Sequence, residues 1–422
     1  MGKSTGRLFP GSLALCFFLI FSGGSSSAQD KFVTYLSLAD YTGAIAGLNV
    51  PGDMGVEDFF KELNAKGGVD GVKVKFIGVD TRYDVARGVS AYKRYRTEHK
   101  LLVVNTIGTP IGKAIAPLAA KDKVIQLTAG DGEFQAHLSR IFLWSPSYQD
   151  CFAGAVDWMV SDWKIKGKSG MPKIGFIGWD NPMGKEFLRG GKEYAEKVGV
   201  PLLKPEFFPP GSLDHTVYLT RLANAGANYI FDSGVDPTPT NVIRDAHKLG
   251  LTNKIQFVTD YWGPTEPVGV RAHPEVLEGT VITSYYIRGE EAKRHPLSAL
   301  WVKYRKKPLE DMNETYVAGM VWTMDFAEAL KIALKDVGYN NLDGEAMFKA
   351  YQKLTGFKRQ GVTGPNAYSS TSRRGSQEIK FYRVKKGPGR SDHGLDEGAG
   401  RGFFIQVVGG RVFPPGEWAC SA

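Results

Sequence analysis

The sequence predicts an α/β protein of two lobes, each built around a parallel sheet. Short β-branched apolar runs alternate with amphipathic stretches of helical spacing from Lys31 onward. This cadence stops and restarts after the segment 142–150. Beyond the amino-terminal leader some 390 residues remain, more than a single core usually holds. Strands separated by helices need crossover connections, which are right-handed and leave the strands parallel.

In the first half the spacing predicts strands at 32–36, 72–79, 101–105 and 124–128, with helices at 56–65, 85–96 and 111–120 between them. Gly43, Gly47 and Pro51 place the segment between the first strand and first helix in a loop. The second half opens with a helix at 151–163. Strands then follow at 173–178, 202–207, 228–231 and 255–259, separated by helices at 184–197, 213–225 and 240–249. The C-terminal third is less regular. A long helix at 316–337 carries apolar residues at helical spacing, the Gly/Pro/Arg-rich stretch 385–402 reads as a loop, and 403–408 is strand-like.

The chain begins with Lys3 and Arg7, an apolar run at 13–21, and small residues ending at Ala28. That order predicts a cleaved secretory signal over 1–28, because the apolar run falls short of the roughly 20 residues of a membrane span. A lipoprotein anchored through Cys16 is the weaker alternative, since Leu15 stands where a small residue is expected. Loss of Lys3 and Arg7 lowers the formal charge from +9 to +7. The basic residues are dispersed, with small clusters at 303–307 and 383–390 and no aromatic-interleaved stripe, so nucleic acid is not an expected partner. The surplus charge reads as a solvated surface or an aid to association with an acidic membrane face. Cys151 and Cys420 remain, either as one disulfide or with Cys151 simply buried.

Catalytic signatures are missing. There is no Gly-x-Ser-x-Gly elbow, and the seven histidines never fall at metal-ligand spacing. Gly178 with Gly184-Lys185 resembles a phosphate loop, but the spacing is one residue too long and Glu186 replaces the magnesium-binding hydroxyl. No dinucleotide fingerprint follows the first strand. Neither an enzyme nor a cofactor is expected.

What recurs is a small, polar loop at the carboxyl end of each strand, where open α/β sheets bind ligands. Gly108-Thr109-Pro110 follows one strand, and Thr128-Ala129-Gly130-Asp131 the next. In the second half the equivalent ends carry Trp179-Asp180, the run from Asp232 to Asp236, and Asp260-Tyr261-Trp262. Carboxylates beside aromatic rings suit an amino or other cationic group. Blander readings stand beside these: Asp180 or Asp236 as helix caps, Trp179 and Trp262 as packing residues, Thr109 and Thr128 as turn residues.

Several blocks carry a family resemblance over nearly the whole mature chain. Val56-Glu57-Asp58-Phe59-Phe60, the stretch 63–71, Asp80 and Asp84-Val85-Ala86-Arg87 resemble the opening of branched-chain amino acid-binding periplasmic proteins. Arg221-Leu222, Ala225-Gly226-Ala227, Arg244-Asp245-Ala246 and Gly250-Leu251 resemble that family's second lobe. Thr363-Gly364-Pro365, Tyr368-Ser369 and Arg373-Arg374-Gly375 resemble its C-terminal segment. The resemblance implies the type I periplasmic binding protein fold, two Rossmann-like lobes joined by a three-strand hinge. Crossings would fall near 145–149, 282–285 and Lys358, giving one lobe of 29–146 plus 284–358 and another of 147–283 plus 359–422.

It further implies a monomer in the periplasm that closes on a small-molecule ligand and delivers it to the permease subunits of an ABC importer. Contacts would come from Thr109, Thr128 and Asp131 in the first lobe and from Met183, Gly234 and Asp260 in the second, with Asp260 holding an ammonium group. Gly130, Trp179 and Tyr261 complete the candidate set. The run Gly108-Thr109-Pro110-Ile111 replaces the family's carboxylate-binding serines, and Met183 replaces a tyrosine. Those departures leave an ordinary branched-chain amino acid in question and keep amides, aromatic acids and other small metabolites open. A ligand-sensing subunit of a signalling system is the alternative reading, and Asn313-Glu314-Thr315 would be a glycosylation sequon in a eukaryotic secretory pathway.

Overall fold

The computed structural model describes residues 1–3, 31–98, 100–129, 140–270, 273–386 and 403–412. Residues 4–28 of the expected signal segment, Cys420, Gly130, Asp131 and the stretch 387–402 lie outside them. Among the described residues no helix is long and apolar enough to cross a membrane.

Two sheets form. The first is entirely parallel and takes β1 (Lys31–Ala39), β2 (Val72–Asp80), β3 (Leu101–Thr106), β4 (Ile125–Thr128) and β5 (Ile141–Leu143), in the order β2-β1-β3-β4-β5. Its helices are α1 (Ala46–Ala65), α2 (Val85–Glu98) and α3 (Thr109–Lys121). β3 and β4 are buried along their length, as strands covered on both faces must be.

The chain then runs through α4 (Tyr148–Ile165) into the second sheet, made of β6 (Ile174–Trp179), β7 (Glu206–Phe208), β8 (Tyr229–Ser233), β9 (Gln256–Thr259) and β10 (Val281–Ser284). Between these lie α5 (Pro182–Lys197), α6 (Thr216–Asn224), α7 (Thr238–Lys248) and the short α8 (Pro274–Leu277). A second passage carries α9 (Gly289–Arg294), α10 (Thr315–Val337) and α11 (Gly344–Gln352) back to the first sheet, where α10 packs on α1 and α11 touches β3 and β4. A third returns β11 (Glu378–Lys386) and β12 (Phe403–Val412) to the second sheet, whose order is β12-β11-β10-β9-β8-β6-β7.

Three sequence expectations need correction. The segment read as a loop before the first helix is helical from Ala46, with Pro51 inside α1. Proline there costs one hydrogen bond, to the carbonyl four residues back, and packing compensates. A Cβ on Gly55 would stand 1.9 Å from the Tyr316 carbonyl oxygen, and one on Gly319 would stand 2.1 Å from that of Gly52. Only glycines let α1 and α10 approach so closely, and that contact holds the first turns of α1 helical. The strand expected at 202–207 begins only at Glu206, Leu202 making an isolated bridge to Ile174. Residues 378–386, in part assigned to a loop, form β11, antiparallel to both β10 and β12.

Two buried ion pairs lie near the passages. Arg359 grips Asp325 in bidentate fashion, Nε to Oδ1 at 2.9 Å and Nη2 to Oδ2 at 2.6 Å. Arg288 reaches Glu314 at 3.1 Å and also donates to the carbonyls of Pro264 and Tyr261, each at 2.8 Å. An aromatic cluster sits between: Trp144 stacks on Trp322 at 4.3 Å and meets Trp262 edge-on at 5.8 Å.

Candidate functional site

The candidate residues lie at or just beyond the carboxyl ends of strands. In the second sheet, β6 ends in Trp179, β8 in Ser233, and β9 runs into Asp260. All three side chains are buried. Gly234 follows β8, and a Cβ built on it would lie 3.5 Å from the Trp179 indole nitrogen. Trp179 Nε1 has no hydrogen-bond partner.

Asp260 accepts the Trp262 backbone N–H at 2.7 Å through Oδ1, while Oδ2 is buried and unpartnered. Burial pushes this carboxyl well above the usual range; the Trp262 N–H opposes that, the Asp232 charge adds to it, and the Gly234 N–H and Arg288 oppose it more weakly. Asp232 itself is fully buried with both oxygens unpartnered, and desolvation alone drives its pKa up. A buried carboxyl without a partner is costly in the charged form. The strand tips thus hold an acidic corner that an arriving cation would relieve.

Met183 is buried in the first turn of α5, capped by the Asn181 side chain, which accepts the Gly184 N–H at 3.1 Å. Gly184 packs directly on the Trp179 carbonyl. Asp180 is exposed and pairs with Lys185 at 2.9 Å, away from this corner. Asp236 is spent on structure: its carboxylate accepts from Thr240 at 2.9 Å and from Thr265 Oγ1 at 2.8 Å. Tyr261 donates its hydroxyl to the Pro146 carbonyl at 3.1 Å, and Trp262 donates to Tyr148 at 3.1 Å. Trp262 and Tyr261 belong to the aromatic cluster.

On the first sheet, Thr109 is the first residue of α3, buried, with its hydroxyl unpartnered. Thr128 ends β4 and donates to the Thr106 carbonyl at 3.2 Å. The two halves meet through the helices that Thr109 and Met183 begin. Lys113 on α3 lies 3.5 Å from Glu186 on α5. The Asp236 carbonyl also comes within 3.9 Å of a Cβ built on Gly47 in the first turn of α1. Thr109 and Met183 thus lie in the first turns of the two helices that the ion pair of Lys113 with Glu186 joins, while Trp179, Gly234 and Asp260 lie at the strand ends of the second sheet.

Asp232 and Ser233 were not singled out within their run. An acid ending an otherwise apolar strand, Tyr229-Ile230-Phe231, was the available signal. Arg288 and Glu314 left no signal, because their pairing spans 26 residues. Among the described residues no group of three or more His, Cys, Asp or Glu side chains is arranged to hold a metal. Cys151 is a buried free thiol, 3.2 Å from Thr283 Oγ1.

The chain matches the profile of the family described as "Periplasmic binding protein" over residues 37–389. A Leu/Ile/Val-binding protein homolog of Brucella suis is 23% identical over 334 residues, 79% of this chain and 85% of that one. A branched-chain amino acid ABC transporter protein from Thermus thermophilus, solved with bound valine, superposes with a TM-score of 0.75 at 19% identity, covering 84% of this chain and 94% of its own. A solute-binding protein of an ABC transporter from Rhodopseudomonas palustris, solved with p-hydroxybenzoic acid, gives 0.74 at 18% identity, with 90% and 97% covered. These likenesses establish the fold as two α/β lobes of the type I arrangement.

Proposed function

This chain belongs to the periplasmic binding protein family, and from that premise we propose that it captures a small amine-bearing metabolite by hinge closure and delivers it to an ABC importer. The observation that carries the reading is the buried, unpartnered Oδ2 of Asp260, with the unpartnered indole N–H of Trp179 at the same end of the sheet. An ammonium group would pair with Asp260, and an acceptor on the same ligand would take the Trp179 N–H. Thr109 offers a hydroxyl from the opposite lobe. A ligand touching both lobes at once favours the closed form, because only there are all its contacts made. The T. thermophilus relative binds valine and the R. palustris one an aromatic acid; the paired acids Asp232 and Asp260 favour the amine class here. The basic, small-residue pattern over 1–28 supports export, and the described residues call for no covalent step.

A thermal-shift screen of refolded, ligand-free protein against amino acids, amides, polyamines, quaternary amines and aromatic acids tests this. Ligands that bind only the native state raise the melting temperature by mass action. A hit among amine-bearing compounds that disappears in Asp260→Ala is the expected result. Stabilisation only by anions lacking an amine would overturn the acidic-corner assignment while leaving the fold intact.

A further inference from the structure

The far end of the second sheet carries a feature that ligand capture does not use. Where α4 ends, the chain reads Lys164-Ile165-Lys166-Gly167-Lys168-Ser169-Gly170-Met171-Pro172-Lys173, four lysines and no acid in ten residues. All four lysines are exposed. So are the two large apolar residues between them, Ile165 at 84% and Met171 at 42%. Together they make one exposed turn that is both basic and partly apolar. They fit a surface that is apolar within and anionic at its face.

Behind this loop lies a cavity of about 350 Å³ lined by Trp163, Lys166, Lys168, Tyr229 and Lys254 among others. It opens at the amino ends of β8 and β9, opposite the strand end that leads into Asp260. Trp163 donates its indole N–H to the Ser169 carbonyl at 3.1 Å, which ties the loop to the helix. The acid beside the cavity, Asp162, is already engaged by Lys166 at 2.6 Å and by the Tyr229 hydroxyl at 2.7 Å. Lys168 and Lys254 face the cavity without an acidic partner within ion-pair distance among the described residues.

We propose that this pole is a docking surface for an anionic phospholipid bilayer. The lysines meet headgroup phosphates, the cavity seats one headgroup, and Ile165 and Met171 enter the acyl boundary. Charge complementarity selects this partner. Binding there leaves the opposite ends of the strands, which hold Asp260, away from the bilayer, so loading and membrane contact are independent.

The test is vesicle flotation of the chain from residue 29 onward, which holds every strand and helix described above. Vesicles of phosphatidylglycerol with phosphatidylethanolamine are compared with pure phosphatidylcholine. Association with the anionic vesicles only, weakened at 0.5 M salt, is expected. Lys164→Glu with Lys168→Glu should lower it roughly thirtyfold or more, and Ile165→Ser about tenfold, with unchanged melting temperatures as the check on folding. Equal binding to both lipids, no binding, or indifference to the charge reversals overturns the proposal. Quenching of Trp163 by inorganic phosphate without vesicle flotation would overturn it too, assigning the cavity to a soluble anion.

Discussion

The passages between the sheets and the tips of the second sheet both bury ionisable groups, but they treat them in opposite ways. At the passages the two fully buried guanidiniums each have a carboxylate, Arg359 with Asp325 and Arg288 with Glu314, and further donors go to carbonyls. At the tips Asp232 and Asp260 keep three carboxylate oxygens without a partner. Where the chain must hold its shape, the charges are answered from within. Where a ligand is expected, they are left open.

The largest effect should come from breaking the answered pairs. Arg359→Ala leaves Asp325 buried without its bidentate partner, and stability should fall by about 3–5 kcal/mol, read by urea unfolding. Replacing both members with apolar residues of similar size, Arg359→Met with Asp325→Leu, should recover most of that loss. A double variant as unstable as the single one would show that the wider network, including Tyr368, which donates to Asp325 at 3.1 Å, matters more than the pair.

Asp260→Asn should behave in the opposite sense. The ligand-free protein keeps or gains stability, while affinity for an amine-bearing ligand drops by about 2–3 kcal/mol, on the order of a hundredfold, as a charge-assisted hydrogen bond is lost. Calorimetric titration measures it. Burial raises the Asp260 pKa and an ammonium partner lowers it, so binding is linked to proton release wherever the pH lies between the two values. Affinity should therefore rise with pH, and a pH-independent affinity in the wild-type protein would contradict the pairing.

How much of this contrast was legible in the sequence depends on how local each feature is. Alternation of β-branched and amphipathic stretches marked β1 to β4, β6, β8 and β9, since the period of an element is written in its own residues. β11 was partly lost because Arg383 and Lys385 read as the edge of a basic loop, although Ile379, Phe381 and Val384 are all buried. The start of α1 was lost because Gly47 and Pro51 act locally as breakers, while the contact that overrides them comes from Tyr316 and Gly319. The strand ends could be named as a site, but which carboxylate oxygens stay open is a matter of three-dimensional bonding. Asp236 and Asp260 look alike in sequence; one is consumed by Thr240 and Thr265 and the other is not.

A smaller effect should follow from Asp232→Asn. Burial raises the folded-state pKa of Asp232 above its ordinary value of 3.8. The folded chain then keeps a proton that the unfolded chain has lost, so stability falls as pH rises from about 3.8 toward the raised value. The amide removes that slope. Melting temperature at neutral pH should rise by about 2–4 °C, with little change near pH 4. The slope remaining should owe part to Asp53, which burial pushes up to about 6 even though Ser37 and Tyr41 donate to it.

The smallest effect tests the junction itself. Lys113 and Glu186 join α3 to α5 at 3.5 Å, with the lysine side chain 40% exposed. A half-exposed pair contributes at most about 1 kcal/mol, so Lys113→Ala should weaken ligand affinity only a few-fold. It should do so by favouring the open form, which raises the dissociation rate. Its effect should shrink in high salt, where the wild-type pair is already screened, whereas the loss in Asp260→Asn, from a fully buried group, should persist. If salt erased both losses alike, Asp260 would have to be open to solvent while ligand is bound, and the contrast between answered and open buried charge would not extend to the working protein.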